Sequence, residues 1–240
     1  MMRVSLVGTV HEEQGLASIS ELRAILERIQ PEVIFLEIPS AVFDDYLDGT
    51  RSNLESSAAR LYRESDDVAL VPVDLPTPEA EFFRNSQYLY ERIEKSSPEY
   101  CRLIDWNSQY VRTHGFDYIN SELCSKHWSD IYEAMLTAIE RLDDHRLIEL
   151  YELWKNTHEL RDRAMLKNIE DYCILRPFEN GVFLVGAAHR QSIISKSREG
   201  RGAGTPRIEW DLSGSLYGAI EKEVHEAGPG LTFERHNEEL

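Results

Sequence analysis

The chain has 240 residues, 42% of them hydrophobic and 29% charged, a balance that supports a packed core and argues against disorder. Its formal net charge is −17, a field that repels a nucleic-acid backbone or an anionic membrane surface, so neither is expected as a partner. There is no apolar run of the roughly 18 residues that span a bilayer, no secretory leader pattern and no Cys-x-x-Cys pair among Cys101, Cys124 and Cys173, which together point to a cytoplasmic protein.

In chain order, the first apolar run covers 4–10, and a second covers 33–38. Between them Leu22, Ile25, Leu26 and Ile29 recur at helical spacing and Pro31 closes the segment, so 18–30 is predicted as a helix and the whole as a βαβ unit. A helix over 52–64 and a strand over 68–73 follow. These runs are nearly continuous in Val, Ile, Leu and Phe, as expected for parallel strands covered on both faces. From Pro76 to about Arg176 strand-like runs give way to helical spacings, punctuated by Pro76, Pro78, Pro98 and Gly115. Helices are predicted over 79–95, 99–114, 117–142 and 145–175. A strand over 182–185 returns to the sheet. A Gly-rich loop over 199–206, a short strand over 208–211 and a last helix over 215–227 complete the reading. The expected fold is α/β: a mostly parallel sheet of βαβ units (core 1–75 and 180–227) with a large helical insertion at 76–178, all in one domain over 1–240.

Chemistry-bearing residues gather at the predicted strand ends, where open α/β sheets collect their ligands. The first strand ends in Gly8-Thr9-Val10-His11, with the glycine expected to allow a tight turn that aims the imidazole into the crevice. Glu37 ends the second apolar run and Asp74 the third. A carboxylate at the end of a buried strand needs a metal, a cationic partner or a catalytic role to offset its burial. The later strand ends in Gly186-Ala187-Ala188-His189, repeating the Gly-x-x-His spacing. Two imidazoles and a carboxylate are suitable ligands for manganese, cobalt or zinc, whose bound water would be the nucleophile. Without metal, one imidazole could act as general base and the other as proton donor or oxyanion stabiliser. On the long helix, His158 and Arg161 interrupt an apolar face formed by Leu147, Leu150, Tyr151, Trp154, Met165, Ile169 and Tyr172, with Asp162 at its edge. That interruption is poor packing unless those side chains look into a polar pocket, with Arg161 as an anion clamp. Arg190, Lys196, Arg198, Arg201 and Arg207 read as a basic patch around the Gly-rich loop, solvated or acting as a lid. Trp106, Trp128 and Trp154 read as core, and His114, His127, His145, His225 and His236 as polar or helix-end residues.

The combination of Gly8–His11, Glu37, Arg161-Asp-Arg-Ala-Met165 and Val185-Gly-Ala-Ala-His189 resembles the TraB/PrgY–GumN–Tiki family, within a wider superfamily holding erythromycin esterase and the haem-binding ChaN proteins. The resemblance spans about Val4 to His189. It implies a compact α/β sheet with inserted helices. For Tiki-like members it implies metal-dependent proteolysis, for the esterase branch hydrolysis by His and Glu without an obligatory metal, and for ChaN relatives haem binding. It carries over to His11, Glu37, Arg161, Met165 and His189, with Asp162 where many members have Asn.

The expected protein is thus a hydrolase of a peptide or ester bond. His11, Glu37, Arg161 and His189 are its catalytic set, and His11, Glu37 and His189 would hold a divalent ion (manganese, cobalt or zinc). Asp74, His158, Arg161, Asp162 and Met165 would contact a peptide or small-molecule substrate. The alternative is a non-catalytic binding or regulatory module that holds a peptide or small anion in the same pocket. A homo-oligomer stays open.

Overall fold

The computed structural model describes residues 1–199 and 208–212. Strand β1 (Met2–Thr9) leads through helix α1 (Ile19–Ile29) to β2 (Val33–Pro39), and then through a 3-10 turn (Ser40–Val42), a short helix α2 (Phe43–Asp48) and α3 (Leu54–Ser65) to β3 (Ala69–Asp74). Four helices follow, α4 (Ala80–Ser96), α5 (Pro98–Ile119), α6 (Glu122–Leu142) and α7 (His145–Leu175), before β4 (Asn180–Gly186), α8 (Ala187–Arg198) and β5 (Ile208–Asp211). Local chemistry sets the helix starts. The Ser18 hydroxyl accepts from the Glu21 N–H, Asn53 and Ser56 form a reciprocal capping box, and Ser97 caps α5 with Pro98 in its first turn.

The expected α/β fold with a parallel sheet and a large helical part is what forms. All strand pairs are parallel, in the order β3-β2-β4-β1-β5. The helix over 18–30 does not join neighbouring strands, however, because β4 inserts between β1 and β2. After its exposed first residue β4 is buried throughout, which suits the centre of a sheet covered on both faces.

Alternate side chains feed two clusters. Val7, Ile34, Leu36, Val182 and Leu184 pack on one face with α1 and α3 (Leu22, Leu26, Leu54, Ala58). Leu6, Phe35, Phe183 and Val185 pack on the other with α7 and α8 (Met165, Ile169, Ile193). A third cluster lies wholly among α4, α5, α6 and the first half of α7. Helix α7 therefore spans both worlds: Leu147, Tyr151 and Trp154 belong to the bundle, whereas Met165, Ile169 and Cys173 cover the sheet. The polar residues His158, Arg161 and Asp162 mark the crossover.

The structure departs from the expected reading at several points besides the added 3-10 turn and α2. The segment 117–142 is two pieces: α5 ends at Ile119, and Ser121 caps α6 by accepting from the Cys124 N–H. Residues 187–198 form α8, missed because its polar residues are buried as well as its apolar ones: Arg190 is 5% exposed and the Lys196 side chain 9%, so neither belongs to a solvated patch. Trp106 is 43% exposed rather than core. Most of the Gly-rich loop, with Arg201 and Arg207, and the last predicted helix over 215–227 lie outside the described residues.

The break between α5 and α6 has a consequence for β1. The ladder to β5 stops at Ser5, and three residues on the buried Asn120 side chain takes over. Its Oδ1 accepts from the Gly8 N–H at 2.7 Å and its Nδ2 donates to the Gly8 carbonyl at 3.1 Å. A side-chain amide thus stands in for a neighbouring strand. Asn120→Ala strands both backbone groups in a dry interior, and urea denaturation is expected to show a loss of about 2 kcal/mol.

Candidate active site

The carboxyl ends of β1, β2, β3 and β4 deliver His11, Glu37, Asp74 and His189 to one crevice, where α7 crosses from bundle to sheet. Neither Gly-x-x-His glycine works by adopting a left-handed turn. Gly8 lies in extended β1, where an added Cβ would stand 3.0 Å from Arg190 Cδ and 3.3 Å from Asn120 Oδ1. Gly186 is the N-cap of α8 at φ −53°, and a Cβ there would stand 3.4 Å from both Glu37 Oε2 and His11 Nε2. Each glycine is there for close approach. The two motifs are also offset by one residue, since Gly8 pairs with Val185 and Thr9 with Gly186.

Arg161 ties the crevice together. Its Nη2 donates to Glu37 Oε1 at 2.5 Å and to Asp74 Oδ2 at 2.8 Å, and its Nε donates to Asp74 Oδ1 at 3.1 Å. The remaining Glu37 oxygen accepts from the Gly186 N–H at 2.7 Å, and Asp74 Oδ1 also accepts from the Leu75 N–H. Both carboxylate side chains are 6% exposed. Burial alone would raise the Glu37 pKa, but the charges of His189, Arg161 and His11 and the Gly186 N–H outweigh it and hold the group below its ordinary range. The same two carboxylates, opposing desolvation, push the Arg161 guanidinium still higher.

The two imidazoles of the Gly-x-x-His motifs are each held at Nδ1 by a carboxylate. His189 Nδ1 lies 2.6 Å from Asp162 Oδ1, and its Nε2 lies 3.4 Å from both Glu37 Oε1 and Arg161 Nη1. Asp162 in turn has the Lys196 ammonium 3.7 Å away, itself bonded to Glu159 at 2.7 Å. Burial would lower the His189 pKa, yet Glu37 and Asp162 together raise it. His11 Nδ1 lies 3.0 Å from Glu55 Oε1, which also accepts from the Thr9 hydroxyl at 2.5 Å. That hydrogen bond is the largest influence on His11 and, with the charges of Glu55 and Glu37, raises it to about 9 against its partial burial. His158 stacks on the His189 ring at 5.1 Å and lies tilted against Trp154 at 4.3 Å, and burial followed by the neighbouring charges of His189 and Arg161 lowers it to about 4. It is an uncharged spacer between bundle and crevice.

Of the residues singled out from sequence, His11, Glu37, Asp74, His158, Arg161, Asp162 and His189 come together here. Met165 does not join them: it is fully buried in the cluster beneath the sheet with Leu166 and Ile169, so it offers neither a substrate contact nor a haem ligand. The sequence gives no sign that Glu55 and Asn120 stand beside this crevice, and Lys196, read as part of a solvated patch or lid, is instead buried on α8 beside Glu159 and Asp162. A glutamate in the first turn of a helix is too common to stand out, and nothing in the sequence places it beside His11.

The residues as arranged do not fit a divalent ion. Two Nε2 atoms and a carboxylate are apt donors, with carboxylates behind both imidazoles. However, the Arg161 guanidinium stands among them and holds the Glu37 oxygen that faces His189. No group of three or more His, Cys, Asp and Glu side chains among the described residues is disposed to hold a metal.

No protein-family model matches the sequence. No curated protein matches it either. Among solved structures the chain is weakly similar to a mutant erythromycin esterase in its open conformation, with a TM-score of 0.33 and 15% identity over 77% of this chain. The chain spans 60% of the length of that protein, and a likeness of this size carries no argument about activity. No helix among the described residues is long and apolar enough to cross a membrane.

Two outcomes follow from the ion pairs. Arg161→Met leaves Glu37 and Asp74 without a cation, and chemical denaturation is expected to show a loss of about 3 kcal/mol; Arg161→Lys recovers only part, because an ammonium cannot fork between two carboxylates. His11 has a raised folded pKa, so its tie to Glu55 stabilises fully below about pH 6.5 and is lost as pH rises through about 9. Thermal unfolding of the wild type should weaken more steeply between pH 7 and 10 than that of His11→Gln.

Proposed function

We propose that the protein hydrolyses an ester or peptide bond by general acid–base chemistry at Glu37 and His11. The observation that carries this reading is a proton donor and a proton acceptor of different character facing the same Gly186 backbone. Glu37 is ionised and buried, whereas the His11 ring is 58% exposed, protonated near neutrality and open to a substrate. In the reaction a water gives its proton to Glu37 as its oxygen attacks the carbonyl carbon. The C–O or C–N bond then breaks, and the leaving atom takes the proton from His11 Nε2. Transfer of the proton from Glu37 to His11 restores both groups, so the sum is the addition of one water across one bond. Arg161 holds Glu37 in place, and its Nη1, engaged among the described residues by the long contact to His189, has donor capacity left for the developing oxyanion. Asp162 fixes the His189 ring by Nδ1.

The metal-dependent form of this activity requires Arg161 to leave the donor set, and calorimetry separates the two. Manganese, cobalt or zinc titrated into the wild type and into His11→Ala/His189→Ala should give equal heats if no ion is bound at the site. A binding isotherm seen in the wild type alone restores the metal form.

The hydrolase reading is tested with a panel of p-nitrophenyl esters and fluorogenic peptides. Glu37→Gln is expected to lose about 10²–10⁴-fold in kcat/KM with its fold intact by circular dichroism, as is usual for a positioned acid or base. Activity should be level from about pH 6 to 8 and fall as pH passes about 9, where His11 gives up its proton. No turnover of any probe, with the site variants changing stability alone, would favour the non-catalytic binding module. The internally paired charges of the crevice would then serve packing.

A further inference from the structure

We propose that Glu55 is a positioning residue of this site, holding His11 by its Nδ1 so that Nε2 is presented to Glu37. The inference rests on the hydrolytic reading for its purpose, though its geometry stands alone. Glu55 lies in the first turn of α3, on a helix whose other buried residues are Leu54, Ser56, Ala58, Ala59 and Tyr62. Its side chain is 5% exposed, and the histidine is the cationic group paired with it among the described residues. Oε1 gathers the Thr9 hydroxyl and His11 Nδ1, whereas Oε2 is buried with no hydrogen-bond partner among the described residues. The buried, unpaired Oε2 costs folding free energy that the pairing at Oε1 offsets only in part, and a functional role explains why a carboxylate is kept there. An apolar side chain would pack the same helix face without that cost.

The surrounding backbone is built for the same purpose. The Leu54 N–H donates to the His11 carbonyl at 2.9 Å, and the Asn53–Ser56 capping box fixes the turn that carries Glu55. Main chain and ring of His11 are thus both clamped by the start of α3. The opposite layer repeats the device, since Asp162 on α7 holds His189 by Nδ1. Helices from the two faces of the sheet each supply one carboxylate to one imidazole; His189 Nε2 then lies 3.4 Å from Glu37 Oε1, and His11 Nε2 faces the same Gly186 backbone as Glu37 Oε2. With Nδ1 tied to an acceptor, the proton of neutral His11 sits on Nδ1 and Nε2 is the exchanging atom.

Nitrogen-15 NMR of the full chain tests this, with p-nitrophenyl acetate hydrolysis read alongside. On the alkaline side of its titration, wild-type His11 should be the Nδ1–H tautomer. Glu55→Gln keeps that tautomer through its amide oxygen but lowers the titration midpoint of His11 from about 9 toward 6.5. Glu55→Ala should shift His11 mainly to the Nε2–H tautomer and lower kcat tenfold or more with little change in KM. An Nε2–H tautomer in the wild type, or a tautomer unchanged in Glu55→Ala, overturns the proposal. Should the alanine variant fail to fold, an unchanged midpoint in Glu55→Gln overturns it equally. If the tautomers follow expectation but no chain turns over the ester, the hydrolytic reading falls and the positioning role stands. If Glu55→Ala hydrolyses normally with its tautomer unmoved, the positioning role falls and the hydrolytic reading stands.

Discussion

Two carboxylates buried side by side at the end of a parallel sheet call for a cation that reaches both, and Arg161 is that cation. Its planar fork has the right shape, because one edge takes Asp74 through Nε and Nη2 while Nη2 also reaches Glu37. The lengths of β2 and β3, the angle of α7 across the sheet and the place where the apolar face of α7 is interrupted all have to agree with this one group. Lysine, a point charge, would not impose that agreement.

Around Arg161 the charges alternate. Asp162, His189, Glu37, Arg161 and Asp74 form a chain of opposite neighbours, and a separate Glu55–His11 pair faces Gly186 from the other layer. Such an arrangement keeps the pKa values of chemically similar groups apart. His158 is held neutral, whereas His11 and His189 are raised, although all three are imidazoles in one neighbourhood. Burial and the charges of His189 and Arg161 lower His158, which has the Trp154 carbonyl at Nδ1, whereas Glu37 and Asp162 outweigh burial at His189 and Glu55 outweighs it at His11. A buried carboxylate held below its ordinary range and an exposed imidazole raised to about 9 face the same Gly186 backbone, and the proposed acid–base chemistry draws on that difference.

The two glycines have a different reason from the one their spacing suggests. Gly-x-x-His suggests a turn, yet neither glycine has a positive φ among the described residues. Gly8 admits Asn120 and the Arg190 side chain, and Gly186 admits Glu37 and His11. The spacing recurs because both sites are crowded, not because the chain reverses there.

Periodicity and strand-end residues in the sequence were enough to reveal the parallel α/β core, the long helix 145–175, the interruption of that helix by His158 and Arg161, and the titratable groups at the ends of four strands. Those features are local: a buried strand reads as a continuous apolar run, and a polar residue in an apolar stripe is visible at 100° per residue. Tertiary structure alone decided that β4 lies between β1 and β2, that α8 is helical with polar residues inside, and that Glu55, Asn120 and Lys196 belong to the neighbourhood of the site. Each of these depends on which distant segment supplies the missing hydrogen bond or countercharge. A first-turn glutamate or a helix-ending asparagine looks ordinary until the fold brings an imidazole or an unpaired strand edge against it.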